Sequence, residues 1–298
     1  MTAHTAWSTG RLSGASGPTR VLFGQMYEDA EVEARAFEGR QRVFCIASAG
    51  DTAMLLSHRH DVIACDINPA QVAYAQRRIN TGYSHIGDAD RFMAFARRFQ
   101  PLIGWRKQAL RDFIALSDLN QQAAFWRKHF DTATFRLAFD ALLSRPVLRT
   151  RYALQLLSFL PAHFGRVLRK RLERGIAHHP NAANPYIANL LLGTRLSPPP
   201  ANPKNVRLIT GDAATVLDSL PPGSIDAFTL SNILDGANGL YRERLRTAVQ
   251  HAASHDAIII WRSFAEPSSP NIPNHADGDR AMLWGTLHIQ SAADFLAK

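Results

Sequence analysis

The sequence predicts an α/β fold of the Rossmann-like type, a mostly parallel sheet interrupted by a large α-helical insertion. Three observations carry that expectation. Arg42 to Ile79 reads as strand, turn, helix, strand, acidic stop and helix, with short β-rich apolar runs between helical periodicities. From residue 201 the same alternation returns and continues to residue 298. Between the two blocks, residues 88–200 carry helical period and almost no strand signal. One sheet built from 21–87 and 201–298, with 88–200 inserted, accounts for all three. Residues 1–20 hold no apolar signal region and are expected to be a flexible leader.

Residues 21–40 should form a turn leading into an acidic helix. Gln25, Tyr27, Glu28 and Asp29 fall close together there. Two readings stand side by side: Glu28 and Asp29 complement a helix dipole, or the segment is a lid whose polar groups hold an α-amino group. Val43–Ala47 is the first strand, ended by the turn Ser48, Ala49, Gly50, Asp51. A helix through Met54, Leu55 and Leu56 leads to the second strand, Val62–Cys65, which stops at Asp66, Ile67 and Asn68. Small residues at the first turn let a ligand approach the backbone at a helix N-terminus. An acidic residue ending the second strand can accept both hydroxyls of a ribose. A pyrophosphate-binding loop would need G-x-G-x-x-G, whereas this turn has the single Gly50. The pattern therefore favours S-adenosylmethionine (SAM) over a dinucleotide.

The insertion is aromatic and basic. Phe92, Phe95, Phe99, Phe113, Phe125, Phe130, Phe135 and Phe139 recur at helical spacing, which predicts core packing first. The chain has a formal charge of +9, yet 17 Lys/Arg against 5 Asp/Glu lie between Arg91 and Arg174, so the remainder is slightly acidic. A basic helical section points to an anionic partner. The run Arg166, Arg169, Lys170, Arg171, Arg174, interleaved with Val167, Leu168 and Leu172, suggests an interfacial helix on anionic lipid. Nucleic acid is the weaker reading, since no recognised RNA-binding motif accompanies the charge. Asn184–Gly193 leads through Pro198–Pro200 and Asn202–Pro203, a stiff return to the sheet.

Val206–Thr210 then forms a strand ending in Gly211 and Asp212, where Asp212 can accept from an adenine amino group. After a helix over Ala213–Leu220, the strand Ile225–Leu230 ends in Ser231, Asn232 and, three residues on, Asp235. Carboxyl ends of open α/β sheets are where ligands bind. A helix over 240–254 precedes the strand Ala257–Arg262, and the tail contributes Asp279, Arg280, Trp284 and His288. Arg262 and Arg280 are the natural partners for an amino-acid carboxylate. Cys45 and Cys65 both fall in predicted strands, as small core residues of a reducing, cytoplasmic compartment. No apolar run approaches the ~18–20 residues that span a bilayer.

Six segments occur in an order that resembles the BtaA-like family: FGQMYED (23–29), VFCIASAGDTAMLL (43–56), DINPAQ (66–71), NPYIANLLLG (184–193), IDAFTLSNILD (225–235) and DRAMLWGTLHI (279–289). The resemblance covers about Leu22 to Ile289, and DINPAQ and the DRxxxWGxxH tail are its most specific parts. It implies a SAM-dependent 3-amino-3-carboxypropyl transferase releasing methylthioadenosine, without a metal. The acceptor is a small molecule or a lipid such as diacylglycerol. The resemblance implies SAM near Ser48, Gly50, Asp51, Asp66, Asn68, Asp212 and Ser231, and Gln25, Ala49, Ile67, Gly211, Asn232, Arg262 and Arg280 are the further cofactor-binding candidates. Asp235, His288 and Glu28 are candidate general bases, and Tyr27 and Tyr186 candidates to orient the acceptor. This chain is shorter than the lipid enzymes of that family, which leaves the acceptor open. A SAM cyclase forming azetidine-2-carboxylate and a SAM-dependent methyltransferase are the alternatives.

Overall fold

The computed structural model of the protein describes residues 18–150, 157–158, 160–197, 201–269 and 271–297. Most of the expected leader and the Pro198–Pro200 linker lie outside the described residues, as does Leu154 of the insertion's helical pattern. A short helix α1 (Glu31–Ala36) precedes β1 (Arg42–Ile46), α2 (Asp51–Leu56), β2 (Asp61–Asp66) and α3 (Pro69–Thr81). The insertion follows as α4 (Asp88–Arg97), α5 (Lys107–Ile114), α6 (Leu119–His129), α7 (Ala133–Leu142), α8 (Arg145–Arg149), α9 (Phe164–His178) and α10 (Pro185–Leu192). The chain returns through β3 (Val206–Thr210), α11 (Ala213–Asp218), β4 (Ile225–Thr229), α12 (Gly239–Ala252), β5 (Ala253–Ser263), β6 (Thr286–Ser291) and α13 (Ala292–Leu296).

Among the described residues the strands form one sheet in the order β3-β2-β1-β4-β5-β6. The first five strands run parallel and β6 pairs antiparallel to β5, Trp261 opposite His288 and Arg262 opposite Leu287. Chain direction across the sheet reverses between β1 and β4, the crevice where open sheets of this kind take their ligands. Burial on both faces explains the short apolar runs of β1, β2 and β4, whereas the edge strand β3 is part-buried and carries exposed Arg207. Val43, Cys45, Ala227, Ile260 and Leu287 pack on the face that Phe37, Ala53 and Leu56 cover. Phe44, Ile63, Phe228 and Ile259 pack on the other, under α11, α12 and α13. Strand β6 is an addition to the sequence expectation, which took residues 279–289 as a site-bearing tail. Its burial falls away toward solvent along the strand, so it lacks the fully apolar signature of its neighbours.

The insertion has a core of its own. Trp105, Leu110, Phe113, Trp126, Phe130 and Phe135 close around Leu172 and Ile176 of α9, Ile187 and Leu191 of α10, and Met282 from the β5–β6 connection. The aromatic stripes are core, as their period predicts, except around Phe95 and Phe99. Asn184, at the start of the run that precedes the linker, caps α10 by accepting from Tyr186 N, with Pro185 in the first turn and left-handed Gly193 at the end.

The basic helix α9 turns part of the expected interfacial face inward, while Arg166 and Lys170 stay exposed. Leu168 and Leu172 are 9% and 5% exposed, turned into the molecule rather than outward. Arg169 pairs with Asp140 at 2.9 Å, Arg171 with Glu266, and Arg174 with Asp277 at 2.6 Å. Arg171 also donates to the carbonyls of Leu283 and Phe264 at 2.7 Å each. Arg171 and Arg174 bolt the insertion to the connection after β5, whereas Arg169 pairs within the insertion. No helix among the described residues is long and apolar enough to cross a membrane.

Candidate functional site

The site is assembled where β1, β2 and β4 end. After β1 the chain turns at once, with Ala47 N donating to Cys65 O and Gly50 N to Ala47 O, each 2.7 Å. Gly50 sits at φ 88° and starts α2, a conformation in which a side chain would be strained. Two non-glycine residues are also held left-handed at this edge, Ser48 at φ 44° after β1 and Ser231 at φ 51° after β4. They lie at the ends of the two strands that flank the sheet's crevice. A non-glycine residue pays roughly 1–2 kcal/mol for that conformation, and backbone strain of this kind concentrates where ligands are held.

Asp66, at the end of β2, faces this turn. Ser48 N donates to its Oδ2 at 3.1 Å and Asn68 N to its Oδ1 at 2.9 Å. The two amides fix the carboxylate plane while leaving further lone pairs on both oxygens. Burial lifts its pKa to about 6, and the two amides oppose that rise. Gly211 N donates to Asp66 O at 2.9 Å, so the end of β3 closes against the same point. Ile67 is part-exposed beside it.

A strap over residues 20–30 crosses this edge; Glu28 is no helix cap, while Asp29 accepts from Glu31 N at 3.3 Å at the start of α1. Leu22 N and Phe23 N donate to Gln71 Oε1 at 3.0 and 3.3 Å, Tyr74 Oη to Gly24 O at 2.6 Å, and Met26 N to Asp51 Oδ2 at 3.0 Å. Arg78 binds the Ala49 carbonyl at 2.8 Å and grips both oxygens of Asp51. Gln71 Nε2 reaches Ser48 O at 2.9 Å. Gln71, Tyr74 and Arg78 share one face of α3 and position the turn and the strap, although sequence reasoning passed over all three. Their signal was a row of large polar groups at i, i+3 and i+7, on the face a helix buries.

Glu28 enters the sheet's edge from the strap. It is 4% exposed, accepts from Ser231 Oγ, and lies 3.3 Å from Arg262 Nη1. Desolvation raises its pKa to about 7, with Arg262 opposing. Arg262 was expected to clamp a substrate carboxylate, and its position overturns that. The side chain is fully buried, with Nε on Asp279 at 2.8 Å, Nη1 on Glu33 and Glu28, and Nη2 on Glu33 at 3.0 Å and Asp29 O at 3.4 Å. All three nitrogens are engaged inside the protein. Arg280 is better placed: Nε and Nη2 hold Asp29 at 2.6 and 2.7 Å, its side chain is 29% exposed, and Nη1 stands outside the pair. The four carboxylates Glu28, Asp29, Glu33 and Asp279 face the two guanidiniums of Arg262 and Arg280, a formal excess of two negative charges when all are ionised.

Several other expected site residues have structural partners. Asp51 is the buried partner of Arg78. Asn68 caps α3, accepting from Ala70 N at 3.0 Å and donating to Arg20 O at 2.8 Å. Asp212 caps α11 through Thr215 N at 3.1 Å and receives the Tyr241 hydroxyl. Asp235 ties β4 to β5, accepting from Ser263 Oγ at 2.5 Å and Phe264 N at 3.0 Å, with Asn232 Nδ2 3.5 Å away. Its pKa is raised by burial. Tyr27 donates to Asp90 at 2.5 Å, and burial pushes its phenol far up. Gln25 Oε1 accepts from Leu196 N at 3.2 Å, anchoring the strap to the chain after α10. Tyr186, expected to orient an acceptor, donates instead to Glu28 O at 2.8 Å. His288 stacks on Trp261 at 4.6 Å between ring centroids, on the sheet face opposite Arg262 and its carboxylates. The strand's alternation removes it from that network.

What the edge offers chemically is an oriented carboxylate at Asp66, two strained backbone turns open to a close approach, and a Glu28–Ser231 pair poised near neutrality. No protein-family model matches this chain, and no curated protein matches it. The rRNA methyltransferase AviRa from Streptomyces viridochromogenes is similar at 14% identity over 99% of this chain and 96% of its own, with a TM-score of 0.35. A likeness that loose transfers no residue and no activity, and the fold assignment rests on the sheet itself.

Proposed function

We propose that this chain binds SAM at the carboxyl edge between β1 and β4 and transfers its 3-amino-3-carboxypropyl group to an acceptor hydroxyl or amine. The observation that carries the binding half is Asp66, half-buried at a strand end and oriented by two amides so that its oxygens can accept from a ribose diol. The acidic network around Glu28 supports a cationic ligand: SAM brings a sulfonium and an ammonium, whereas a dinucleotide brings phosphates.

The chain's own part in the reaction follows from its geometry. Glu28, titrating at about 7 and hydrogen-bonded by Ser231, is the base that takes the acceptor's proton. The acceptor's lone pair attacks the γ-carbon, the carbon–sulfur bond breaks with its electrons on sulfur, and neutral methylthioadenosine leaves. Arg280 is the group available for the amino-acid carboxylate. The choice of the γ-carbon over the methyl rests on the resemblance to the BtaA-like family.

The test is mass spectrometry of purified full-length protein with SAM, first alone and then with diacylglycerol vesicles. Methylthioadenosine produced with the lipid supports the proposal. S-adenosylhomocysteine would replace it with methyl transfer, and azetidine-2-carboxylate formed without acceptor would replace it with cyclisation.

A further inference from the structure

Residues 85–102 expose an apolar stripe with a cationic rim, at the start of the insertion and away from the basic helix α9. Helix α4 has no buried residue along its ten. Phe95, Phe99 and Leu102 are 40%, 41% and 76% exposed, and Ile86, just before the helix, is 53% exposed. Arg91, Phe95, Phe99 and Leu102 recur at four, four and three residues, which puts them along one side of the helix and its continuing turn. The Phe95 and Phe99 rings meet edge-to-face at 5.0 Å, and Leu102 N donates to Phe99 O at 3.0 Å. Phe95, Phe99 and Leu102 form one patch, unlike the singly scattered apolar residues of an ordinary surface.

The charges around the stripe are unequal. Arg91, Arg98, Arg106 and Lys107 are exposed, whereas Arg97 turns inward to Asn189 O at 3.3 Å. Of the two nearby acids, Asp90 is engaged by Tyr27 and the amides of Gly24 and Gly87, and Asp88 pairs with Arg91 at 3.0 Å. At the amino end of the stripe a surface cavity of about 380 Å³ is lined by Arg20, Val21, His85, Asp88 and Arg91.

We infer that this edge docks on an anionic phospholipid bilayer. Phe95, Phe99 and Leu102 enter the acyl boundary, and a headgroup phosphate sits in the cavity between Arg20 and Arg91. An apolar face rimmed by arginines is the composition that anionic membrane surfaces select. Nucleic acid fits less well: base stacking needs open aromatic faces, while these rings cover each other and the most exposed member is aliphatic. A second copy would set the same cationic rim against itself. The inference needs neither SAM nor an acceptor, so it stands or falls apart from the proposed reaction.

The test is co-sedimentation of the full chain with phosphatidylcholine vesicles, with and without phosphatidylglycerol, at physiological salt. The wild type should bind only the anionic vesicles. The triple variant Phe95→Ser, Phe99→Ser, Leu102→Ser and the charge variant Arg91→Glu, Arg98→Glu should each weaken that binding by roughly tenfold or more. All five positions are exposed, so melting temperatures should stay at the wild-type value. The inference is overturned if the wild type ignores anionic vesicles, or if both variants bind them as well as the wild type does. It is also overturned if the triple variant loses a dimer or a single-stranded RNA complex while vesicle binding persists.

Discussion

Replacing Arg262 by Met separates a ligand clamp from a structural keystone. In the structure the guanidinium is wholly buried and touches three carboxylates, Glu28, Glu33 and Asp279, plus the Asp29 carbonyl. Met has similar length and no charge, so packing is largely kept while the carboxylates lose their counter-charge. Breaking a buried ion pair from one side costs about 3–5 kcal/mol. At roughly 2 °C per kcal/mol for a chain of this size, the melting temperature should fall by about 6–10 °C. The loss should also depend on pH. Glu28 already titrates at about 7, against an ordinary 4.5, so the folded state binds its proton more tightly than the unfolded state does. For wild type this group's stability contribution is greatest below about pH 4.5 and declines as pH rises through about 7. Without Arg262 the pKa values of Glu28 and Asp279 rise further, and protonation relieves the variant more than the wild type. Urea unfolding at pH 5.5 and pH 8 should therefore show a smaller deficit at the lower pH. A variant within 1 kcal/mol of wild type at both values, yet unable to bind SAM, would restore Arg262 as a clamp and refute this account.

Other perturbations test the strap and the strained turns. Gly24→Ala would drive a methyl group into the His85 carbonyl and the Asp90 carboxylate, so the strap should detach; limited proteolysis near residue 24 should quicken markedly. Ser48→Gly relaxes a left-handed backbone and should leave stability within about 1 kcal/mol of wild type, whereas Ser48→Val should cost roughly 2 kcal/mol in chemical denaturation. Nucleoside affinity should fall as pH drops through about 6, because Asp66 must be ionised to accept two hydroxyls; calorimetric titration with methylthioadenosine between pH 5 and 8 checks the sign.

Much of the sheet was legible because buried parallel strands are written in unbroken apolar runs. The strands around Val43, Val62 and Ile225 fall where those runs predict, and the edge strand Val206–Thr210 follows the same alternation despite its exposed Arg207. Strand β6 was not, since an edge strand half open to water needs no such run. In the candidate site, residues that act through the backbone at strand ends, such as Ser48, Gly50 and Gly211, were legible from the turn grammar. Asp66 was legible from its place after the second strand. Side chains whose role is set by distant partners were not. Nothing local to Arg262 announces Glu33, 229 residues away along the chain, and nothing local to Asp235 announces Ser263. The same limit governs α9: its arginines look like a lipid-facing row until Asp140, Glu266 and Asp277 are brought to them. Charge counts locate a basic segment without saying which cations remain exposed once the chain has folded.

The account turns on Asp66 as the ribose acceptor of a nucleoside site between β1 and β4. Isothermal titration of wild type and Asp66→Asn with SAM and with methylthioadenosine at pH 7.5 tests that directly. Wild type should bind both ligands. Asp66→Asn should lose roughly tenfold or more for both, since a charged hydrogen-bond acceptor contributes about 1.5–3 kcal/mol and the ribose is common to the two. Wild type binding neither ligand, or Asp66→Asn binding both as tightly as wild type, would contradict it.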